Sequence, residues 1–453
     1  MSFSSAILLL TTREFATNAV TLLVVLGFLV FIHELGHFVA AKMFGVRVEQ
    51  FAIGFGKRLV GFRRGDTDYR INLLPLGGYV KMAGENPFDG RTTDAGEFMN
   101  HARWQRFFIA IAGPAMNILL AIALLAGVYM VRYEHADYED SPLVVGAVAP
   151  NSPAAQAGLQ PGDRLIRLGS KQNPTWKDSV FEVALNVGQP LEVAVQRGNE
   201  ILVKSITPTA SGKERVGSIG IAPARKTVVG EVEPGTPAGQ AGVKKDDEII
   251  ALNGSPLRSP EDLIPQIQAI GSHPVQLTLQ RGAEQLVVSV TPFSDKSLNR
   301  YRIGIRPSDK LHVDRLPLPR ALAEGWADSK RNSGLMLQLV EKLLQRKASI
   351  DQLSSPIGIG KATGEAFMEP GWTPILKLTS AISLQLGLIN LFPFPIMDGG
   401  VVLFLLIESI MRRDISMRVK ERIYQAAFVM LVLFFAVVIY NDLTKYVPGM
   451  GRP

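Results

Sequence analysis

Between Phe15 and Ile32 the chain carries no charged residue, and between Phe107 and Val131 it again carries none. A run of about 20 apolar residues matches the hydrocarbon core of a bilayer. Inside that core the backbone satisfies its hydrogen bonds only within itself, so such a run folds as a helix. Two further runs fit: Leu378 to Ile407, interrupted over Asn390–Gly400, and Ile423 to Tyr440. They predict an α-helical polytopic membrane protein with four transmembrane helices, in segments 1–43, 107–132, 376–408 and 423–441. The mean hydropathy of +0.17 agrees. Four crossings return both termini to one side.

The formal net charge is +7, and its basic residues concentrate in loops beside the apolar runs. Arg58, Arg63, Arg64, Arg70 and Arg91 lie in the loop 44–106, and Arg412, Arg413, Arg418 and Lys420 in the loop 409–422. Excess Lys and Arg in short loops marks the cytoplasmic side. Both loops are therefore expected in the cytoplasm, and the long segment 133–375 and both termini outside it. This distribution points to membrane orientation and not to nucleic acid.

The first run ends in His33-Glu34-Leu35-Gly36-His37. Histidines four apart share one helix face, and this spacing lets two imidazoles reach one metal ion, typically zinc. Glu34, beside the first ligand, can take a proton from metal-bound water. The bland alternative is a helix end with two polar histidines. Three ionisable groups at the end of a spanning segment are costly, however, and by default mark function. There is no cysteine, so a third ligand must be His or carboxylate. Asp398, the only charge between Lys377 and Glu408, is the candidate. Pro393 and Pro395 break the helix before it, and Gly399 and Gly400 are expected to let the backbone turn tightly. The competing reading of Asp398 is a cap on that broken helix.

In the loop 44–106, Phe51, Ile53 and Phe55 alternate with Ala52, Gly54 and Gly56, and Tyr69, Ile71 and Leu73 alternate again after a turn at Arg63–Asp66. The pattern predicts a membrane-associated β-hairpin. It is either a sheet resting on the membrane or an edge that pairs with an extended substrate. In the external segment, Val144–Gly158 recurs at Val228–Gly242, an offset of 84 residues with no gap. The offset predicts two αβ units, 143–223 and 227–307, each closed by Ile-Gly-Ile and each large enough to hold its own core. Pro-x-Ser/Thr-Pro-Ala-x-x-Ala-Gly and Pro161-Gly162-Asp163 resemble PDZ domains, which bind peptide ends by strand addition. The second copy departs at Lys245-Asp246-Asp247. Residues 308–375 predict an amphipathic region, with Met336, Val340, Leu343 and Leu344 at helical spacing, ended by Ser355–Gly360.

Together these motifs resemble the site-2 protease family of intramembrane zinc metalloproteases, over nearly the full length. The resemblance rests on His-Glu-Leu-Gly-His at 33–37, Gly-Phe-Gly at 54–56, Leu-Gly-Gly-Tyr-Val-Lys-Met at 76–82, Gly-Pro-x-x-Asn at 113–117 and Asn-x-x-Pro-x-Pro-x-x-Asp-Gly-Gly at 390–400. It implies Zn2+ held by His33, His37 and Asp398, with Glu34 as catalytic base. It implies substrate contacts from Asn390, Pro393 and Pro395 and from Gly54, Phe55 and Gly56 of the hairpin. The implied activity is regulated intramembrane proteolysis of a pre-trimmed single-span membrane protein of anti-sigma-factor type, in envelope stress signalling. The implied location is the bacterial inner membrane, with tandem PDZ domains and both termini periplasmic and the PDZ pair excluding untrimmed substrates by size. Val401 stands where many members have histidine, and Gln385 where close relatives have asparagine; neither change removes a ligand. Two rivals remain: a non-enzymatic membrane scaffold with tandem PDZ domains, which needs no Glu34, and a metal transporter, which needs further ligands along the spans.

Overall fold

The computed structural model describes residues 3–85, 93–136, 138–139, 141–211, 216–295, 300–308, 311–345 and 356–446. Arg91 and Ser355 lie outside the described residues. The chain divides into two compact units, one of residues 1–132, 315–337 and 353–453, the other of residues 133–314 and 338–352.

The first unit is built on helices α1 (Phe3–Met43) and α2 (Arg103–Val131), separated by strands β1 (Val48–Arg64) and β2 (Thr67–Met82). The chain returns as α3 (Leu318–Leu344), α4 (Pro356–Met368), α5 (Thr373–Leu391), α6 (Asp398–Met411) and α7 (Met417–Tyr446). Among the described residues four stretches are long and apolar enough to cross a membrane: Ala16–Met43, Arg103–Val131, Thr373–Leu391 and Arg418–Tyr440. The third expected run is therefore two helices. Of these α5 has spanning length, whereas α6, at 14 residues, extends only about 21 Å at 1.5 Å per residue. Helix α4 was not anticipated. Its glycines seat it on α1, with Gly360 beside Leu22 and Gly364 beside Asn18.

The hairpin is present but folded on itself. Val48–Ile53 runs antiparallel to Gly78–Met82, with Phe51 opposite Val80 and Ile53 opposite Gly78. The same stretch lies beside Asp68–Ile71 in a register whose numbers rise in step, Gln50 to Asp68 through Ile53 to Ile71. Arg58–Arg64 then pairs with Thr67–Asn72. Two long strands thus make a curled sheet four strands wide. The bend requires positive φ at Gly54 (+82°) and Gly56 (+86°), which glycine alone adopts readily. Phe51 anchors the sheet to α1, its ring 5.6 Å from Phe31 and 4.8 Å from Phe38. Leu59, Val60, Phe62, Ile71, Leu73 and Leu74 stay exposed.

In the second unit the 84-residue offset holds element by element. Strands Arg164–Leu168, Leu191–Arg197 and Glu200–Ile206 recur as Glu248–Leu252, Val275–Arg281 and Glu284–Val290. The short helix Pro153–Gln156 recurs as Pro237–Gln240, and Trp176–Ala184 as the longer Pro260–Ile270. Each copy buries its own core, around Leu165, Leu168, Val193 and Val195 in the first and Ile249, Leu252, Leu277 and Leu279 in the second.

Candidate metal centre

His33 and His37 lie one turn apart on α1, 7% and 8% exposed. Their Nε2 atoms are 3.2 Å apart. Asp398, the first residue of α6, places Oδ2 3.0 Å from His33 Nε2 and Oδ1 3.5 Å from His37 Nε2. Among the described residues this is the one group of three or more His, Cys, Asp or Glu side chains close enough to share an ion. The donors of a tetrahedral zinc site, with bonds of ~2.1 Å, stand about 3.4 Å apart. The three separations observed bracket that value, and three protein ligands leave a fourth position open. The donor set and spacing therefore fit zinc.

Backbone crowding positions His37 and Asp398. A Cβ on Gly113 would collide with the His37 ring, and one on Gly36 with the Ala112 carbonyl, so α1 and α2 cross at a pair of glycines. His37 Nδ1 is 2.8 Å from the Ile109 carbonyl, to which it donates, leaving Nε2 to face the cluster. Gly399 and Gly400 differ from expectation. Neither has positive φ. They sit in the first turn of α6, where a Cβ would strike the Leu391, Phe392 and Phe394 carbonyls. They permit close approach and not an unusual turn.

Glu34 is half-buried beside the cluster, and its Oε2 accepts a hydrogen bond from Val80 N at 2.9 Å. The sheet is thereby joined to the helix that carries both histidines. Gly77 lies against Val30 and Phe55, and Phe55 stacks on Tyr79 with ring centroids 5.9 Å apart. Asn390 occupies the last turn of α5, and Pro393 and Pro395 the connection to α6. Two partners were missed in the sequence, the Val80 amide and Asn117. Asn117 is fully buried on α2, with Nδ2 3.3 Å from His33 Nδ1. The available signal was a lone amide inside an apolar run, four residues after Gly113.

Two histidines, a carboxylate and an adjacent glutamate, held among apolar helices, define the class of a metal-dependent hydrolase of the membrane. The family model for peptidase family M50 matches residues 21–434. The regulator of sigma-E protease RseP of Escherichia coli K12 is 32% identical, over 95% of this chain and 99% of its own. A Vibrio cholerae protein whose name designates a zinc metalloprotease is 30% identical, over 94% of this chain and 98% of its own. A PDZ domain from the SdrC-like protein of Listeria monocytogenes aligns with 19% of this chain and 90% of its own at 19% identity. Its TM-score of 0.17 is too slight a likeness to define the repeats' fold. The chain belongs to peptidase family M50, the site-2 protease family, and is a metalloprotease.

Proposed function

We propose that the chain is an intramembrane zinc endopeptidase acting on a single-span membrane protein already shortened on its outer side. The observation that carries this reading is the convergence of His33 and His37 with Asp398, hundreds of residues further along the chain, on one ion-sized space. His33, His37 and Asp398 hold the zinc. When bound, zinc supplies Lewis acidity, polarising a carbonyl and making water more acidic. Glu34 takes the proton from the attacking water and returns it to the leaving amine.

A peptide bond in a membrane helix is shielded and internally bonded, so the substrate must be opened before it is cut. The curled sheet offers a strand edge beside Glu34 on which an unwound segment can add. Gly54, Phe55 and Gly56 at its bend, with Asn390, Pro393 and Pro395 of the connection before α6, hold that segment. The exposed apolar side chains of the sheet suit contact with lipid. The loops 44–106 and 409–422 face the cytoplasm of a bacterial inner membrane, and the repeats, read as PDZ domains, face the periplasm with both termini. There they exclude untrimmed substrates by size. The names of relatives that concern sigma-E regulation point to an anti-sigma factor as substrate.

The test is Glu34→Gln. Glutamine keeps the shape but cannot accept the proton, so zinc content and fold are expected to persist while cleavage of a trimmed reporter falls ~10²–10⁴-fold. Near-normal cleavage by the purified variant refutes the role. Deleting residues 143–307 tests the filter: untrimmed reporter is expected to be cut, and a folded variant that still refuses it ends that part of the reading.

A further inference from the structure

We infer that Asn117 is the positioning residue for His33, accepting a hydrogen bond through Oδ1 from the ring's Nδ1–H and so leaving Nε2 free for the metal. The inference rests on the proposed metal centre and adds the choice of ring nitrogen.

A neutral imidazole carries one proton, and a nitrogen that binds metal must offer its lone pair. His33 Nε2 is the nitrogen that faces the cluster, 3.0 Å from Asp398 and 3.2 Å from His37 Nε2. The proton must then sit on Nδ1, and it needs an acceptor. His37 shows the same arrangement completed, its Nδ1 bonded to the Ile109 carbonyl. Among the described residues no carbonyl bonds the His33 Nδ1; it faces the Asn117 carboxamide at 3.3 Å. An NH₂ cannot accept. The amide nitrogen and oxygen exchange places by a half-turn of the side chain, and the bonding network decides which one faces the ring. In the opposite setting the Asn117 oxygen is buried with no hydrogen-bond partner among the described residues. Turned toward His33, it gains the ring N–H.

The rest of Asn117 is held in place. Ser383 on α5, fully buried, donates from Oγ to the Asn117 carbonyl at 2.8 Å. One turn further along α5, Gly387 packs against the Pro114 carbonyl. The carboxamide is thus aimed by the contact of α2 with α5, the helix that leads into Asp398. Removing an outer partner of a metal-bound histidine costs roughly 10–100-fold in metal affinity.

The experiment measures zinc affinity of the full-length protein in detergent by competition with a chelator, with circular dichroism melts alongside. It compares wild type, His33→Ala, Asn117→Asp, Asn117→Leu and Asn117→Ala. Aspartate keeps an acceptor, leucine keeps the volume without one, and alanine keeps neither. The expected result is near wild-type affinity for Asn117→Asp and a loss of about 10–100-fold for both Asn117→Leu and Asn117→Ala, at melting temperatures that do not follow the same order. The inference is overturned if Asn117→Leu or Asn117→Ala binds zinc like wild type, or if Asn117→Asp is as weak as they are. Failure of the metal centre itself reads differently: His33→Ala would then bind as wild type does.

Discussion

Among the described residues buried charge is finished in two different ways, and the repeats and the metal centre show one each. In each repeat an aspartate at most 1% exposed meets an arginine: Asp163 with Arg197, and Asp247 with Arg281. Each pair makes two hydrogen bonds of 2.7–2.8 Å through Arg Nε and Nη2. Each carboxylate also accepts a backbone N–H, from Gln160 or Lys244, and each guanidinium also reaches a backbone carbonyl, of Gly158 or Gly242. The charges are opposite in sign and nothing further is required. In the membrane unit, two ring nitrogens and a carboxylate point at one another across about 3 Å. All three are electron-pair donors when the rings are neutral, and only a cation completes them. Matched sets hold a fold, whereas sets that lack a partner of opposite sign mark where chemistry happens.

The largest effect is expected from breaking the incomplete set. Asp398→Asn removes its one anionic ligand, so the variant should lose zinc on dialysis against a mild chelator and lose cleavage with it, while the repeats melt as before. Stoichiometric zinc with normal cleavage would show that the site is drawn wrongly. Breaking a matched set should do the converse. Asp247→Asn leaves Arg281 without its charge partner, and the second repeat is expected to lose on the order of 1–3 kcal/mol, seen as an earlier melting step with zinc content unchanged.

Acid sharpens the contrast. Hydrogen bonds from Arg281 hold the Asp247 carboxyl below its usual range against the opposing pull of burial. Burial pushes the Asp163 carboxyl up, but hydrogen bonds from Arg197 and the Gln160 amide, with the charges of Arg197 and Lys204, together hold it below its usual range. A carboxyl lowered by folding contributes stability that is present above its unfolded value of about 3.9 and is lost as pH falls through the folded one. The repeats' melting temperature should therefore drop on acidification below about pH 4, with a shallower drop in Asp247→Asn. An equal drop would clear the pair of responsibility.

The smallest effect comes from a difference between the copies. Thr209, Ser211 and Ser218 line an open cleft of about 600 Å³ in the first. Their counterparts in the second, Phe293, Asp295 and Arg302, contact one another: Arg302 pairs with Asp295 and Glu233 and lies 5.3 Å from the Phe293 ring. Arg302→Ser should cost only about 1 kcal/mol, since the group is partly exposed. Calorimetry should find that small shift in the second repeat alone.

Much of this was legible beforehand because it rests on spacing. His33 and His37 at i and i+4, the 84-residue offset and the single charge at Asp398 each carry their meaning in one dimension. What was hidden depends on tertiary approach. The curl of the sheet follows from Ile53 lying beside both Gly78 and Ile71, which alternation cannot express. Helix α4 is rich in glycine, a poor helix former, and forms by packing on Asn18 and Leu22. Asn117 stood in the sequence only as the end of Gly-Pro-x-x-Asn, with no partner assigned, until α1 brought His33 against it.

The glycines after Asp398 carry a mechanical consequence. The first turn of α6 rests on the carbonyls of the strand of chain that precedes it, so the backbone itself acts as a stop that sets how far the carboxylate protrudes. Adding one methyl at position 399 or 400 leaves every ligand in the chain and every charge intact, yet lifts the helix off its seat. Reach, and not composition, is what those two positions regulate, and a catalytic centre can be detuned there without altering a single atom that touches the metal.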